Sequence, residues 1–448
     1  MPKVIIVGGV AGGATTAAQL RRIDPDIDIT IYEKGRDISY GNCGLPYHIG
    51  GEVAERDQLI AATPESFLER DIIVKTHHQV IGVDAGSKTI QVKDVLNGGT
   101  FEAEYDYLVL SPGGAPRTIP TLLDVPQAFV LHSLEHLDEI KAHIENKNIE
   151  RAVVVGGGYI GLEMVENLVR RGIRVTLVHR AENLYHPLES DMSGFIADEL
   201  EAKGVDVKLN AEILDVDGDI ATLSTGEEID APMIVAGIGI TPRTDFLKDS
   251  DVAMNDAGYV CVDQYGRTNH EEIYAVGDAI ETSYQHVDRP VNVALAWSAH
   301  RMAYVISNQI SGDKTAHFEG LLGTNIIRFF DYDIATLGLE ISELKEYPHF
   351  VIDHKQKNKA GYMADSVPIH VRLHVAQSDG KILRAAVVGT EGVDKRIDVL
   401  SAHIRLGGTA MDLANIEVAY SPPYSSPKSV LNMVGYKTME KMNRLKDG

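Results

Sequence analysis

Cysteine is scarce. Only Cys43 and Cys261 occur in 448 residues, more than 200 positions apart. That count excludes a disulfide-stapled scaffold, suits a reducing compartment, and leaves no neighbouring thiol pair for an internal dithiol relay. Positive charge is also short: 42 lysines and arginines stand against 65 acids, a formal net charge of −23. Such a surface repels a phosphate backbone, so no nucleic-acid partner is expected, although a local basic pocket can still hold a small anionic cofactor. No uninterrupted apolar run reaches the ~18 residues that cross a bilayer, and no membrane partner is expected. The apolar start Lys3-Val4-Ile5-Ile6-Val7 lacks the basic lead and small-residue cleavage pattern of an export signal, which makes a cytoplasmic location the expectation. None of the 17 histidines is read at metal-ligand spacing with a cysteine or with a second histidine on one helix face, so no metal is expected. The length suits two to four domains.

Glycine, by contrast, is abundant and placed with purpose. Val4-Ile5-Ile6-Val7 reads as a buried parallel strand, followed by Gly8-Gly9-Val10-Ala11-Gly12-Gly13, a helix over 14–23 and a strand over 27–32. Glu33 ends that strand 20 residues after Gly13. This is a dinucleotide-binding arrangement: glycines let the backbone approach a pyrophosphate at a helix N-terminus, and the acid accepts from ribose hydroxyls. Val10 replaces the middle glycine. A second copy keeps the full spacing, with a strand over 152–155, then Gly156-Gly157-Gly158-Tyr159-Ile160-Gly161, a helix over 162–171 and a strand over 174–178. His179 and Arg180 stand where an acid would be, and such donors suit a ribose 2′-phosphate, so NADPH is expected over NADH. Ile273 to Val276 reads as a third short strand ending in Gly277-Asp278, whose carboxylate can take a ribityl hydroxyl of a flavin. Further on, Ile369, Val371, Leu373 and Val375 alternate with polar residues as a strand, Ser378-Asp379-Gly380 turns the chain, and residues 394–405 read as a helix stopped by Gly407-Gly408.

Two dinucleotide turns, Tyr107-Leu108-Val109-Leu110-Ser111-Pro112-Gly113, the segment 273–278 and the C-terminal part together resemble the two-dinucleotide flavoprotein disulfide reductases. The run Ser39-Tyr40-Gly41-Asn42-Cys43, with the stretches 296–301, 392–400 and 418–425, is similar to the single-cysteine branch, the coenzyme A-disulfide reductases. The resemblance spans essentially the whole chain. It implies an α/β fold with two Rossmann-like domains, for FAD and NAD(P)H, plus an α+β C-terminal dimerisation domain. FAD would occupy residues 1–112 and 246–320, the nicotinamide nucleotide 113–245, and the dimerisation domain 321–448. No fused sulfurtransferase domain is expected beyond residue 448. Cofactor contacts are implied at Gly8, Val10, Ala11, Gly13, Glu33, Lys34, Gly113, Gly156, Gly158, Tyr159, Ile160, Gly161, Glu163, His179, Arg180, Gly239, Gly277, Asp278 and Ala296. Glu163 is expected to pack near the nicotinamide or pair with a lysine.

The resemblance implies that Cys43 lies beside the flavin and carries coenzyme A as a mixed disulfide, the coenzyme taking the place of the missing second cysteine. A thiolate is the attacking species, and free cysteine titrates at about 8.5, so a helix opening after Cys43 is expected to favour the anion through its dipole. Related dithiol reductases use a C-terminal histidine as acid, yet none follows His403. Tyr362 and Tyr420 are the implied replacements, reaching across a homodimer. Thr15, Gln19 and Arg22 share a helix face by spacing, and with Ser39, Asn42, His300 and Lys428 they are implied to hold the small-molecule disulfide substrate. Asp71 stands where this family can carry a lysine, with Arg70 beside it. Trp297 is expected in the core and Cys261 in a buried strand. Competing readings are an NAD(P)H oxidase or peroxidase cycling a Cys43 sulfenate, against which Val10 in place of a histidine weighs, a coenzyme A persulfide or polysulfide reductase, and a non-catalytic electron-passing flavoprotein.

Overall fold

A computed structural model describes residues 1–287 and 289–447. The chain divides into two compact units, Met1–Glu182 with Lys203–Ser283 and Pro290–Gly320, and Asn183–Ala202 with Tyr284–Arg289 and Leu321–Gly448.

The first unit holds two five-stranded parallel sheets built on one plan. In the first, the strands run in the order Ile273–Ala275, Tyr107–Leu110, Lys3–Val7, Asp28–Tyr32 and Ile72–Lys75. In the second, the order is Asp206–Leu209, Arg174–His179, Arg151–Val155, Ile234–Ala236 and Ala128–Val130. The central strands are continuous β-branched runs because both faces are covered: in the second sheet Val153 and Val155 pack against Ile213, Ala221, Leu223 and Ile229 of a three-stranded antiparallel sheet, and Val4, Ile5, Ile6, Val153 and Val154 are fully buried. Each glycine turn follows its central strand at the point where strand order reverses, the crevice in which open α/β sheets bind ligands. The helices Ala11–Ile23 and Tyr159–Arg170 open directly from the two turns.

The second unit is α+β. Its antiparallel sheet runs Asn325–Phe329, Tyr332–Gly338, Ile382–Gly389, Pro368–Ala376 and His349–Lys357. Ile369, Val371, Leu373 and Val375 point into a core with Val393, Ile397 and Leu400 of the helix Val393–Arg405 and with Val430, Leu431 and Val434 of the helix Val430–Asp447. The alternate residues of the same strand, with Arg384 opposite His374 on the neighbouring strand Ile382–Gly389, do different work. His374 and Arg384 hold Glu189 at 2.8 and 3.2 Å, and Arg372 takes Asp191 with two hydrogen bonds at 2.6 and 2.7 Å. These acids stand beside and within the first turn of the helix Ser190–Ala202. That helix is the crossover between two strands of the second parallel sheet, within the stretch assigned from sequence to the nicotinamide nucleotide, and its contacts place it in the second unit. Burial opposes ionisation of Glu189, but the His374 hydrogen bond and the Arg384 charge outweigh it and hold the carboxyl down at about 2.

Candidate active site

The first turn is shaped by contacts that only glycine allows. A Cβ on Gly13 would lie 1.9 Å from the carbonyl oxygen of Gly8. Gly161 repeats this in the second turn, where its Cβ would lie 1.8 Å from the oxygen of Gly156. Strand and helix are thus packed backbone to backbone at each turn. The missing middle glycine has a physical explanation: Val10 has a negative φ, −94°, so this position does not call for the left-handed backbone that favours glycine. Its counterpart Gly158 has φ −90° and open space around the Cβ position.

Glu33 accepts from the backbone N–H of Gly9 at 2.8 Å and of Gly35 at 2.7 Å, so its carboxylate lies against the first turn. In the second turn the N–H of Gly157 donates to His179 Nδ1 at 3.2 Å. His179 therefore occupies the structural place of Glu33, with a ring nitrogen as the acceptor where the first turn has a carboxylate. Arg180 and Lys34 are exposed beside these strand ends. Gly113, Gly239 and Gly277 adopt φ +67°, +98° and +85° in connecting loops. Desolvation raises the carboxyl of Asp278, which follows the strand Ile273–Ala275. A desolvated acid with no cation offsetting it fits a hydroxyl-rich partner, and the Gly8–Gly13 cradle fits a pyrophosphate: these residues suit FAD.

Cys43 sits in the single turn Asn42–Gly44 ahead of the helix Leu45–Ile49, and it is exposed. The expected helix dipole is not what governs it. That helix is five residues long, and the thiol is pushed above its ordinary value, first by desolvation among the surrounding walls and then by Glu163 and Asp278. Glu163 accepts from Tyr47 Oη at 3.3 Å. Asn42 Nδ2 donates to the carbonyl of His132 at 3.2 Å, and burial, with the charges of Arg243 and His136, pushes the His132 imidazole down to about 4. Neither Tyr47 as the partner of Glu163 nor His132 was singled out from sequence; the signal for Tyr47 was its place one helical turn after Cys43.

Thr15 Oγ1 and His300 Nδ1 are 2.8 Å apart, which brings together two substrate candidates from helices 285 positions apart in sequence. Gln19 lies on the same helix, half-buried, and Arg22 is exposed. Ser39 holds a left-handed φ of +48° and donates its N–H to the carbonyl of Gly9, which ties the cysteine loop to the first turn. Arg21 grips the carbonyls of Arg70 and Asp71, while the Arg70 guanidinium lies over the Phe67 ring at 6.0 Å. Ala296 and Trp297 open the helix Ala296–Ile310; Trp297 is 52% exposed and not a core residue. Cys261 is half-buried with its Sγ 3.9 Å from Glu281 Oε1, more open than the buried strand residue expected. Tyr362, Tyr420 and Lys428 belong to the second unit. Both tyrosines are exposed, and a hydrogen bond between them raises the Tyr362 phenol. The Lys428 ammonium lies 5.9 Å from the Tyr436 ring centre.

Among the described residues no cluster of histidine, cysteine and acid could hold a metal, and no helix is long and apolar enough to cross a membrane. Residues 2–302 match the family model of the pyridine nucleotide-disulphide oxidoreductases, and residues 324–429 match its dimerisation domain. A coenzyme A disulfide reductase of Staphylococcus epidermidis is 43% identical over 438 residues, covering 98% of this chain and all of that protein. The reduced CoADR-RHD structure of Bacillus anthracis superposes with a TM-score of 0.96 at 35% identity, covering 99% of this chain and 81% of that one. A NAD-dependent persulfide reductase from A. fulgidus superposes at 0.94 with 31% identity, over 98% and 84% of the two chains. With both domain models matched and its two glycine turns and lone exposed thiol in place, the chain belongs to the FAD-dependent pyridine nucleotide-disulphide oxidoreductases.

Proposed function

We propose that this protein reduces coenzyme A disulfide to two molecules of coenzyme A, with NADPH as the preferred reductant. The observation that carries the reading is Cys43: an exposed thiol held by the loop that joins the first glycine turn, with no second cysteine in its own loop. Similarity to a coenzyme A disulfide reductase over 98% of the chain supports the same substrate. FAD, when bound, relays two electrons from the nicotinamide to sulfur.

The residues of the chain do the rest. The Cys43 thiolate attacks one sulfur of coenzyme A disulfide; the S–S bond breaks, one coenzyme A leaves as thiolate and takes a proton, and a Cys43–coenzyme A mixed disulfide remains. Two electrons, which originate in NADPH, and one proton then cleave this bond, releasing the second coenzyme A and restoring the Cys43 thiolate. Thr15, Gln19, Arg22, Ser39, Asn42, His300 and Lys428 orient the coenzyme, with Arg22 and Lys428 facing its phosphates. Tyr362 and Tyr420 donate to the leaving thiolate from the neighbouring subunit of a homodimer. His179 and Arg180 receive the ribose 2′-phosphate, in place of the acid that would repel it.

Steady-state turnover tests this. Purified enzyme should release two free thiols per NADPH oxidised when given coenzyme A disulfide, and Cys43→Ser should abolish that release. A persulfide reductase, the reading favoured by the 31% identity to the A. fulgidus protein, would instead release hydrogen sulfide from coenzyme A persulfide faster than it cleaves the disulfide. Activity that survives in Cys43→Ser would discard both.

A further inference from the structure

Glu163, Asn167 and Arg171 recur every fourth residue along the helix Tyr159–Arg170 and its final cap, so they form one stripe that starts at the second glycine turn. The stripe meets the short helix behind Cys43 residue by residue. Tyr47 donates to Glu163 at 3.3 Å, and Arg171 Nη1 donates to the carbonyl of Ile49 at 3.1 Å. Asn167 is 1% exposed; its Nδ2 donates to the Glu163 carbonyl at 2.8 Å, and its Oδ1 finds no hydrogen-bond partner. That oxygen is pressed against Gly50, where an added Cβ would stand only 2.2 Å away. From the other side His48 Nε2 receives Lys141 Nζ at 2.8 Å. A five-residue helix has no stability of its own, so these contacts set where residues 45–49, and with them Cys43, are held.

We infer that Glu163, Asn167 and Arg171 are positioning residues that couple the nicotinamide-nucleotide turn to the Cys43 thiol. The helix is rigid and opens at the amides that would hold the nucleotide, so a displacement there is carried down the stripe to Tyr47, Gly50 and Ile49. Bound nucleotide thereby alters the exposure and surroundings of a sulfur whose own loop belongs to the other glycine turn. The inference rests on Cys43 being the reactive thiol proposed above. It adds an allosteric link between reductant occupancy and the readiness of that thiol.

Gly50 offers a clean perturbation, because its φ of −70° suits alanine and only the contact with Asn167 changes. The rate of Cys43 alkylation by iodoacetamide is measured in the holoenzyme with and without saturating NADP⁺. In the parent enzyme NADP⁺ should change that rate roughly fivefold, within the range of ordinary coupling energies. The change should vanish in Gly50→Ala and shrink in Arg171→Met, with NADP⁺ affinity held within about twofold. Asn167→Ala added to Gly50→Ala removes the clashing atoms and should restore part of the effect. An absent effect in the parent enzyme overturns the coupling. An effect that persists in both Gly50→Ala and Arg171→Met would show direct shielding by the nucleotide and overturns it equally; Arg171→Met serves alone if Gly50→Ala does not fold. This readout uses no disulfide, so it stands apart from whether coenzyme A disulfide is the substrate.

Discussion

Replacing Gly13 by alanine should cost the enzyme its flavin. The new Cβ would stand 1.9 Å from the Gly8 carbonyl oxygen and 3.0 Å from Ile6 Cγ2. An ordinary contact begins near 3.4 Å, so strand and helix must separate by about 1.5 Å, and the obstacle is main chain that no rotamer change can move. Overpacking of this kind costs about 1–3 kcal/mol, and a rigid carbonyl puts the cost near 3. If the whole of it falls on the bound state, FAD affinity drops about a hundredfold. Flavin absorbance per protein after purification and dialysis reads the loss directly, and thermal unfolding with added FAD should show a lower midpoint than the parent. Val10→Ala is the control: with φ at −94° it needs no glycine and should keep its flavin. A Gly13→Ala enzyme with full flavin content and an unchanged midpoint would refute the close-packing argument for both turns, since Gly161 makes the same contact.

Three more outcomes are expected. Glu189→Gln should destabilise the second unit: a carboxyl held at about 2 against an ordinary 4.5 contributes on the order of 3 kcal/mol. Because its folded value is depressed, that contribution is whole above about pH 4.5 and fades as pH falls toward 2; denaturant unfolding of parent and variant should converge over that window, and a constant difference would contradict it. Glu163→Gln should shift Cys43 alkylation toward lower pH, since the Glu163 charge helps raise the thiol; an unmoved rate–pH profile would remove Glu163 from the thiol's surroundings. Arg180→Glu should raise the KM for NADPH much more than that for NADH, and equal effects would discard the 2′-phosphate assignment.

The glycine turns were legible because their signal is local: strand, turn, helix and acid follow within 33 residues, and each must satisfy a backbone contact that side chains forbid. The strand Pro368–Ala376 and the helix Val393–Arg405 were legible for a similar reason, since an alternating strand and a glycine stop are short-range patterns. What escaped was non-local. Nothing near Glu189 or Asp191 announces that they meet Arg372, His374 and Arg384, more than 180 positions onward, so this segment was assigned from sequence with the rest of residues 113–245. The surroundings of Cys43 escaped in the same way: the local sequence offered a helix N-terminus, but burial raises the thiol first, and the acids that add to it, Glu163 and Asp278, come from a distant helix and a distant loop after a strand. Trp297 was misplaced by its bulk, which favours burial on average, whereas here it stands at the exposed start of the helix Ala296–Ile310.

Mass spectrometry of the intact, non-reduced enzyme after exposure to coenzyme A disulfide tests the central claim most directly. Each subunit should gain the mass of one coenzyme A, lose it on reduction, and never gain it in Cys43→Ser. A Cys43 that stays a free thiol or a sulfenate throughout would contradict it.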